Sequence, residues 1–213
     1  MSFRHTLSRK RGFGSGADYS AFASDGALKM SGNATVWDDI QISITLARVP
    51  AANAPEWTTW NFGVGSGVAF AVLGFSVNEY LDFYVQSAHR MKIGTVLKNH
   101  IHYSVPTDAV GKKFQFQVDA VAAGVNSQFA VPTGSPFTAE KTLPAAESGF
   151  HRIFSVADIP GSANTTVSTL YVCRLKRIAA SVPGDEYASD VYVLFTDSHY
   201  EADDLGSSEE YTK

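Results

Sequence analysis

The chain has 213 residues, 45% of them hydrophobic and 18% charged, with a formal net charge of -4 and an isoelectric point of about 5.8. This acidic balance argues against a nucleic-acid-binding surface as the main function. The longest apolar run, residues 68–75, is too short to span a bilayer as a helix. The single cysteine, Cys173, excludes an internal disulfide and most thiolate metal sites. It lies in a strand-like run, so we expect a buried, unreactive thiol.

Residues 1–24 are predicted to form a flexible arm. They lack the apolar segment of a signal peptide, which predicts synthesis in a cytoplasm. A Gly/Ser run at 12–16 is typical of a flexible joint. Residues 201–213 are predicted to be an acidic tail, and opposite charges at the two ends favour subunit contacts, with two solvated, frayed termini as the alternative. The basic residues of the arm are Arg4, Arg9, Lys10 and Arg11.

Between these ends, apolar and polar residues alternate strictly. The inward series Phe114, Phe116, Val118 and Ala120 is one example, and residues 40–46 give another. A period of two is typical of a strand with one buried face. Nine strands are predicted, at 27–31, 34–47, 67–76, 80–88, 95–105, 113–122, 150–156, 166–178 and 188–197. The prediction for residues 25–200 is an all-β, antiparallel β-sandwich of jelly-roll type with an extended N-terminal arm.

The proline-rich segment 123–149 is predicted to be a long loop, with a possible short edge strand near 129–131. Residues 55–60 are likewise predicted to be a loop, which leaves Trp57 and Trp60 free to be exposed. Exposed tryptophans at these positions favour sugar stacking, as in lectin jelly rolls, or anchoring of a protein interface.

Two stretches, 68–75 and 191–195, are apolar at nearly every position. An antiparallel strand that is apolar on both faces needs a second covering layer, either another subunit or the chain's own segment 123–149. The pattern therefore predicts a homo-oligomer. The candidate interface residues, including those of the arm, are Phe3, Arg9, Lys10, Arg11, Phe13, Val68, Phe70, Val72, Tyr192 and Leu194.

His100 and His102 are the main candidates for metal chemistry. Two residues apart on a strand, they share one face, and a glycine six residues upstream resembles the first half of the cupin metal motif. The Glu expected shortly after the second His is replaced by the run 103–106, and no His follows Pro132 and Gly134 at the expected distance. We therefore predict no metal and no cofactor here, with the histidines at an interface or in solvent. A cupin-type metal enzyme is the alternative.

Residues 197–199 read Asp-Ser-His, but they cannot form a catalytic triad among themselves. On a strand, Asp197 and His199 share one face and Ser198 points to the other, whereas a triad places the histidine between the serine and the acid. The chain also lacks a Gly-x-Ser-x-Gly nucleophile elbow. No catalytic residue is predicted.

Four pieces in order carry a resemblance to a known family. An Ala-Thr-Val-Trp-Asp-Asp segment ends at Asp39, a His-x-His-aromatic strand follows at 100–103, an Asp-x-His-Tyr segment lies at 197–200, and a Gly-Ser-x-x-Glu-Tyr-x-Lys segment spans 206–213. Together they resemble virion-associated structural proteins of tailed bacteriophages.

The resemblance implies a non-enzymatic protein of the virion, with no catalytic residues. We expect it to act through self-association, most simply as a trimer, and through docking on other virion proteins, with neither nucleic acid nor membrane as a partner. A lectin-like receptor-binding module of a phage fibre is the alternative function. In that case Trp57, Trp60, His100 and His102 are the ligand-binding candidates.

Overall fold

The computed structural model describes residues 12–23, 26–61 and 67–205. Within these ranges the chain is built from β-strands joined by turns and four short 3₁₀ turns. None of the helices described there is long and apolar enough to cross a membrane. The strands are β1 (Gly12–Ser15), β2 (Asp18–Phe22), β3 (Leu28–Ser31), β4 (Val36–Ile42), β5 (Glu56–Trp60), β6 (Phe70–Phe75), β7 (Tyr80–Gln86), β8 (Leu97–Ser104), β9 (Lys113–Ala123), β10 (Phe137–Thr142), β11 (Arg152–Ile159), β12 (Leu170–Ile178) and β13 (Val191–Ala202).

Two antiparallel sheets pack face to face as a sandwich of jelly-roll type, which confirms the predicted fold class. The smaller sheet has the order β10-β9-β12-β7. The larger has the order β11-β8-β13-β6-β5, and β4 also pairs with β13. A third sheet, β1-β2-β3, joins the larger one where the Met30 amide donates to the Asp203 carbonyl at 2.6 Å.

The core lies between the two large sheets. Phe114, Phe116 and the other inward residues of β9 are fully buried, as the alternation predicts. They meet the opposite sheet edge-on, with ring centroids 5.1 Å apart for Phe114 and Tyr103, and 5.6 Å apart for Phe116 and Phe75. Burying such a side chain contributes roughly 1.5–3 kcal/mol. These inter-sheet contacts therefore stabilise the sandwich strongly.

A β-bulge in β13 determines which side chains reach the outer face of the larger sheet. Val193 points into the core, and the register against β8 shifts between Val193 and Phe195. After the shift Tyr200 points into the core instead. Because successive strand residues alternate, the bulge transfers the odd-numbered positions from the inner to the outer face. Asp197 and His199 therefore face outward.

The prediction of a structureless arm is wrong for residues 12–22. There β1 and β2 form a hairpin, and β2 pairs with β3. Gly14 and Gly16 have φ of 122° and 63°, a region that glycine enters without strain, so the Gly/Ser run closes a hairpin rather than acting as a joint. Residues 1–11, with Phe3, Arg9, Lys10 and Arg11, lie outside the described residues, as does the side chain of Phe13.

Two strands lie in segments predicted to be loops. Residues 56–60 form β5, because threonine and tryptophan fit a pleated, half-buried strand despite the nearby prolines. The segment 123–149 contains β10, which pairs with β9 over six residues. The short edge strand expected near 129–131 is a single bridge between Ala130 and Ala122.

Two further boundaries differ from prediction. The strand expected over 34–47 ends at Ile42, where a 3₁₀ turn (Ile44–Leu46) begins. The tail predicted from residue 201 starts inside β13, and Asp204 is buried with its carboxylate 3.8 Å from Nζ of Lys29. Residues 206–213 lie outside the described part of the chain.

Candidate functional site

Five residues from three neighbouring strands meet on the outer face of the larger sheet. His100 and His102 lie on β8, Asp197 and His199 on β13, and Asp39 on β4. The register places Asp197 opposite His100, and His199 opposite Asp39. We call these five side chains the histidine–aspartate cluster.

Asp197 is at the centre of the cluster and is only 4% exposed. One carboxylate oxygen, Oδ1, lies against Nε2 of His100, and the other, Oδ2, is 3.3 Å from Nε2 of His102. Both carboxylate oxygens therefore face imidazole nitrogens. Burying a carboxylate is unfavourable unless donors or cations compensate its charge, so the two histidines are its compensating partners.

His151, in the turn before β11, extends the cluster. Its Nε2 lies 2.7 Å from Nδ1 of His102, and the two rings stack with centroids 4.9 Å apart. On the opposite side, Nε2 of His199 is 3.0 Å from Oδ1 of Asp39. The ring of His199 contacts the ring of His100 edge-on, at 4.4 Å between centroids. Four imidazoles and two carboxylates are thus connected.

The surroundings favour the neutral form of His100. Burial lowers the pKa of its imidazole below the ordinary value, and although Asp197 opposes this shift, His199 and His102 add to it. A neutral imidazole keeps one nitrogen lone pair, which can accept a hydrogen bond or bind a metal. The histidines were expected at an interface or in solvent; at 7% exposure His100 does not lie in solvent, and the interface stays a prediction.

A second polar network lies on the inner face of the same two strands, β4 and β13. Tyr200 donates a hydrogen bond of 2.8 Å to Oδ2 of Asp38, and Arg90 donates through Nε to the Tyr200 hydroxyl at 2.7 Å. Burial raises the pKa of Asp38, but the hydrogen bond from Tyr200 and the nearby Arg90 guanidinium outweigh it and hold the pKa below its ordinary value. This network fastens β4 to β13 on the face opposite to the cluster.

Three of the four segments that carry the family resemblance meet here. Residues 34–39 end in β4, residues 100–103 lie in β8, and residues 197–200 lie in β13, three strands in lateral contact. The fourth segment, 206–213, lies outside the described residues. Segments separated by up to about 160 positions therefore build one surface.

The triad interpretation is excluded by the placement of Ser198. Its hydroxyl is buried on the core side and bonds the side chain of Asn99, while Asp197 and His199 face outward, as predicted. Of the cluster, Asp39 and His151 were not among the candidates from the sequence. Asp39 belongs to the resemblance segment, but only the β4–β13 register brings it to His199, and no sequence signal identifies His151.

The predicted interface residues divide into covered and exposed groups. Val72 is buried, and Tyr192 is covered by the ring of Trp60 at 5.2 Å, while Leu194 is partly buried. Val68 and Phe70 are 52% and 56% exposed. Trp57, on the neighbouring edge strand, is also more than half exposed, whereas Trp60 is partly buried. The first half of the 68–75 stretch is therefore largely exposed, and the second half is buried.

No protein-family model matches the chain, and no curated protein shows significant sequence similarity to it. Among solved structures it is similar to the carbohydrate-binding module TmCBM61 in complex with beta-1,4-galactotriose, with 10% identity and a TM-score of 0.27, over 78% of this chain and 88% of the module. It is also similar to the infectious bursal disease virus Gx strain structure, with 10% identity and a TM-score of 0.26, over 90% of this chain and 69% of that one. At these TM-scores neither likeness informs the function.

Proposed function

We propose that this protein is a non-enzymatic structural component of a tailed-phage virion, acting through self-association and through docking on other virion proteins. The observation that carries the proposal is the exposed apolar group on the β5–β6 hairpin, formed by Trp57, Val68 and Phe70. Each of these side chains is more than half exposed. They lie at the edge of the larger sheet, where β5 is the last strand. An apolar sheet edge is a ready template for another chain.

A second copy of the chain is the occupant that fits this edge. The alternative cover, segment 123–149, is committed to the smaller sheet: β10 pairs with β9, and the Ser135 hydroxyl accepts a hydrogen bond from the Ala120 amide at 3.1 Å. Covering the hairpin with a neighbouring subunit buries apolar surface, at about 25 cal/mol per Å². The virion location, the trimeric state and the other virion partners are supported by the family resemblance alone.

Oligomeric state tests the self-association. Light scattering coupled to gel filtration is expected to show an oligomer for the wild type and a monomer for Phe70→Ser, because a hydroxyl there disrupts an apolar contact. Val110→Ser is the matched control, since Val110 is also more than half exposed but lies in the turn before β9. A monomeric wild type at micromolar concentration contradicts the proposal, as does a Phe70→Ser variant that associates normally.

The virion location needs a separate measurement. Mass spectrometry of purified particles of a phage that encodes the chain is expected to find it at a fixed copy number after high-speed sedimentation. Finding it only in the soluble fraction of the lysate contradicts the virion role, whatever the oligomeric state.

A second candidate function, a lectin-like receptor-binding module of a phage fibre, is favoured by Trp57. Its ring borders an open depression of about 350 Å³ that Phe70 also lines. A glycan array tests it: binding that Trp57→Ala abolishes supports a sugar site. Trp37→Ala is the control, because Trp37 is exposed to the same extent on a different part of the sheet. A wild type that binds no glycan rules this candidate out.

A further inference from the structure

We propose that His100, His102 and Asp197 bind a divalent first-row transition metal ion, with Zn²⁺ as the first candidate. The prediction of no metal depended on the absence of a third ligand near His102 in the sequence. In the structure that ligand comes from β13 instead. The proposal concerns a site on the outer face of the larger sheet and is independent of the self-association proposed above.

The buried carboxylate of Asp197 is the first argument. It is almost completely buried, its Oδ1 lies against Nε2 of His100, and its Oδ2 is 3.3 Å from Nε2 of His102. A buried carboxylate is costly unless its charge is compensated, and a divalent cation held between it and the two imidazoles supplies that compensation.

The donor geometry is the second argument. One ligand atom from each of His100, His102 and Asp197 lies within 4.8 Å of the others. Metal–ligand bonds to nitrogen and carboxylate oxygen are about 2.0–2.2 Å long, so two ligands on one ion are separated by up to about 4 Å. Small side-chain rotations therefore bring all three donors onto one ion. The strands that present them are hydrogen-bonded neighbours, which keeps the donors close before any ion arrives.

The chemistry of the donors identifies the class of metal. Two imidazole nitrogens and one carboxylate suit zinc, iron, cobalt, nickel or manganese. Calcium and magnesium prefer sites made of oxygen alone, so they are disfavoured. Three protein ligands leave at least one coordination position for a further ligand. The partly exposed His199 lies nearby, with Nε2 at 3.9 Å from Oδ2 of Asp197.

His151 lies where a hydrogen-bonding partner of the proposed ligand His102 is expected. A metal-bound histidine normally makes a hydrogen bond through its other ring nitrogen, which orients the ring. Nδ1 of His102 makes that contact with His151 at 2.7 Å, which leaves Nε2 directed at Asp197. The competing explanation is a chain of hydrogen bonds from His151 through His102 to Asp197. Nε2 of His100 lies against Oδ1 in the same arrangement, so metal titration decides between the two explanations.

Metal content and binding of the full-length chain test the proposal. The protein carries a streptavidin-binding tag rather than a histidine tag, is stripped with a chelator, and is titrated with zinc chloride by calorimetry. We expect about one equivalent of zinc per chain, as for a structural or catalytic site, and a higher melting temperature when zinc is present. Replacing zinc with Co²⁺ is expected to produce visible absorption bands of a nitrogen- and oxygen-ligated ion.

Variants locate the binding. Asp197→Asn and His100→Gln are expected to abolish binding. His151→Gln should weaken it by about ten- to a hundredfold, as changes in outer partners do. His89→Gln is the matched control, because His89 bonds Ser168 away from the cluster and its loss should change nothing. If a variant fails to fold, the wild-type titration still decides. A wild type that takes up no transition metal overturns the proposal, as does equal uptake by Asp197→Asn.

Discussion

Glu186 accepts a hydrogen bond of 2.8 Å from Nη2 of Arg177, a guanidinium that is only 1% exposed. The other terminal nitrogen, Nη1, donates to the carbonyls of Phe75 and Ser189, each at 2.7 Å. One buried cation on β12 thus satisfies backbone groups next to β6 and β13 of the opposite sheet. Arg177 therefore connects the two sheets at the end of the sandwich where β13 begins.

Replacing Arg177 with Ala is expected to lower the free energy of unfolding by about 3–5 kcal/mol, because the partners stay buried without a donor. Arg174→Ala is the control on the same strand. Arg174 pairs with Asp82 at the surface, with Nε 2.7 Å from Oδ1, so its loss should cost about 1 kcal/mol or less. Urea unfolding followed by tryptophan fluorescence measures both. Equal effects of the two changes contradict the role assigned to Arg177.

The buried Tyr103–Glu147 pair supports the turn that carries His151. The Tyr103 hydroxyl donates to Oε1 of Glu147 at 2.6 Å, and Arg152 holds the other carboxylate oxygen at 2.9 Å. Burial, and next the contact with Glu147, raise the pKa of Tyr103 far above its ordinary value, so the hydroxyl stays protonated. Tyr103→Phe is expected to destabilise the fold by about 1–3 kcal/mol.

The same substitution should loosen the 147–151 turn. Amide hydrogen exchange there is expected to rise in Tyr103→Phe, while exchange in the β9–β12 strand pair stays slow. Faster exchange in both regions, or in neither, contradicts a role of the Tyr103–Glu147 hydrogen bond in holding this turn.

The alternation of apolar and polar residues alone predicts much of this architecture. The inward series of β9 is buried as predicted, because a period of two fixes which face is apolar. Leu97, Ile101 and Tyr103 of β8 are buried on the same period. The hairpin β1–β2 and the strands β5 and β10 were missed. They are short and rich in glycine, threonine or charged residues, and only pairing with a neighbour makes them strands.

The sequence predicted only part of the histidine–aspartate cluster, for a different reason. His100 and His102 share a face by spacing, and Asp197 and His199 do as well. What joins the two pairs is the register of β8 against β13, which includes a bulge after Val193. Register depends on contacts between strands about 95 positions apart, and sequence periodicity does not encode which strands pair.

The thiol of Cys173 is expected to be inert in the folded protein. It is buried on β12, as predicted, and burial raises its pKa to about 12, so the reactive thiolate is nearly absent at neutral pH. Iodoacetamide at pH 8 is expected to modify the chain only in denaturant, as followed by intact mass. Rapid labelling of the native protein contradicts the placement of this strand.

Asp38 gives a pH dependence with a definite sign. Its pKa is lower in the folded protein than the ordinary 3.8, so the stability it contributes is complete above the unfolded value and disappears as pH falls through the folded value. The stability difference between the wild type and Asp38→Asn should therefore be constant from pH 7 to about pH 5 and shrink below about pH 4. A difference that grows with acidification contradicts the network with Tyr200 and Arg90.

The final prediction concerns residues 1–24, which combine four basic side chains with the β1–β2 hairpin. In the part of the chain that the structure describes, the hairpin pairs with β3, and none of its described side chains belongs to the core cluster between the large sheets. Deleting residues 1–24 is therefore expected to leave the melting temperature nearly unchanged. Deleting residues 1–11 alone is the control that keeps the hairpin.

Both deletions should weaken attachment to the proposed virion partner. The basic residues Arg4, Arg9, Lys10 and Arg11 are removed in both. Electrostatic contacts mainly set orientation and association rate, and salt screens them over roughly 8–10 Å. The wild type should therefore detach from particles as salt is raised, whereas the weaker binding of the truncated chains should depend less on salt. Particle sedimentation with quantitative blotting measures this. Normal incorporation of the 1–11 deletion, or a 1–24 deletion that no longer folds, refutes the role of the segment.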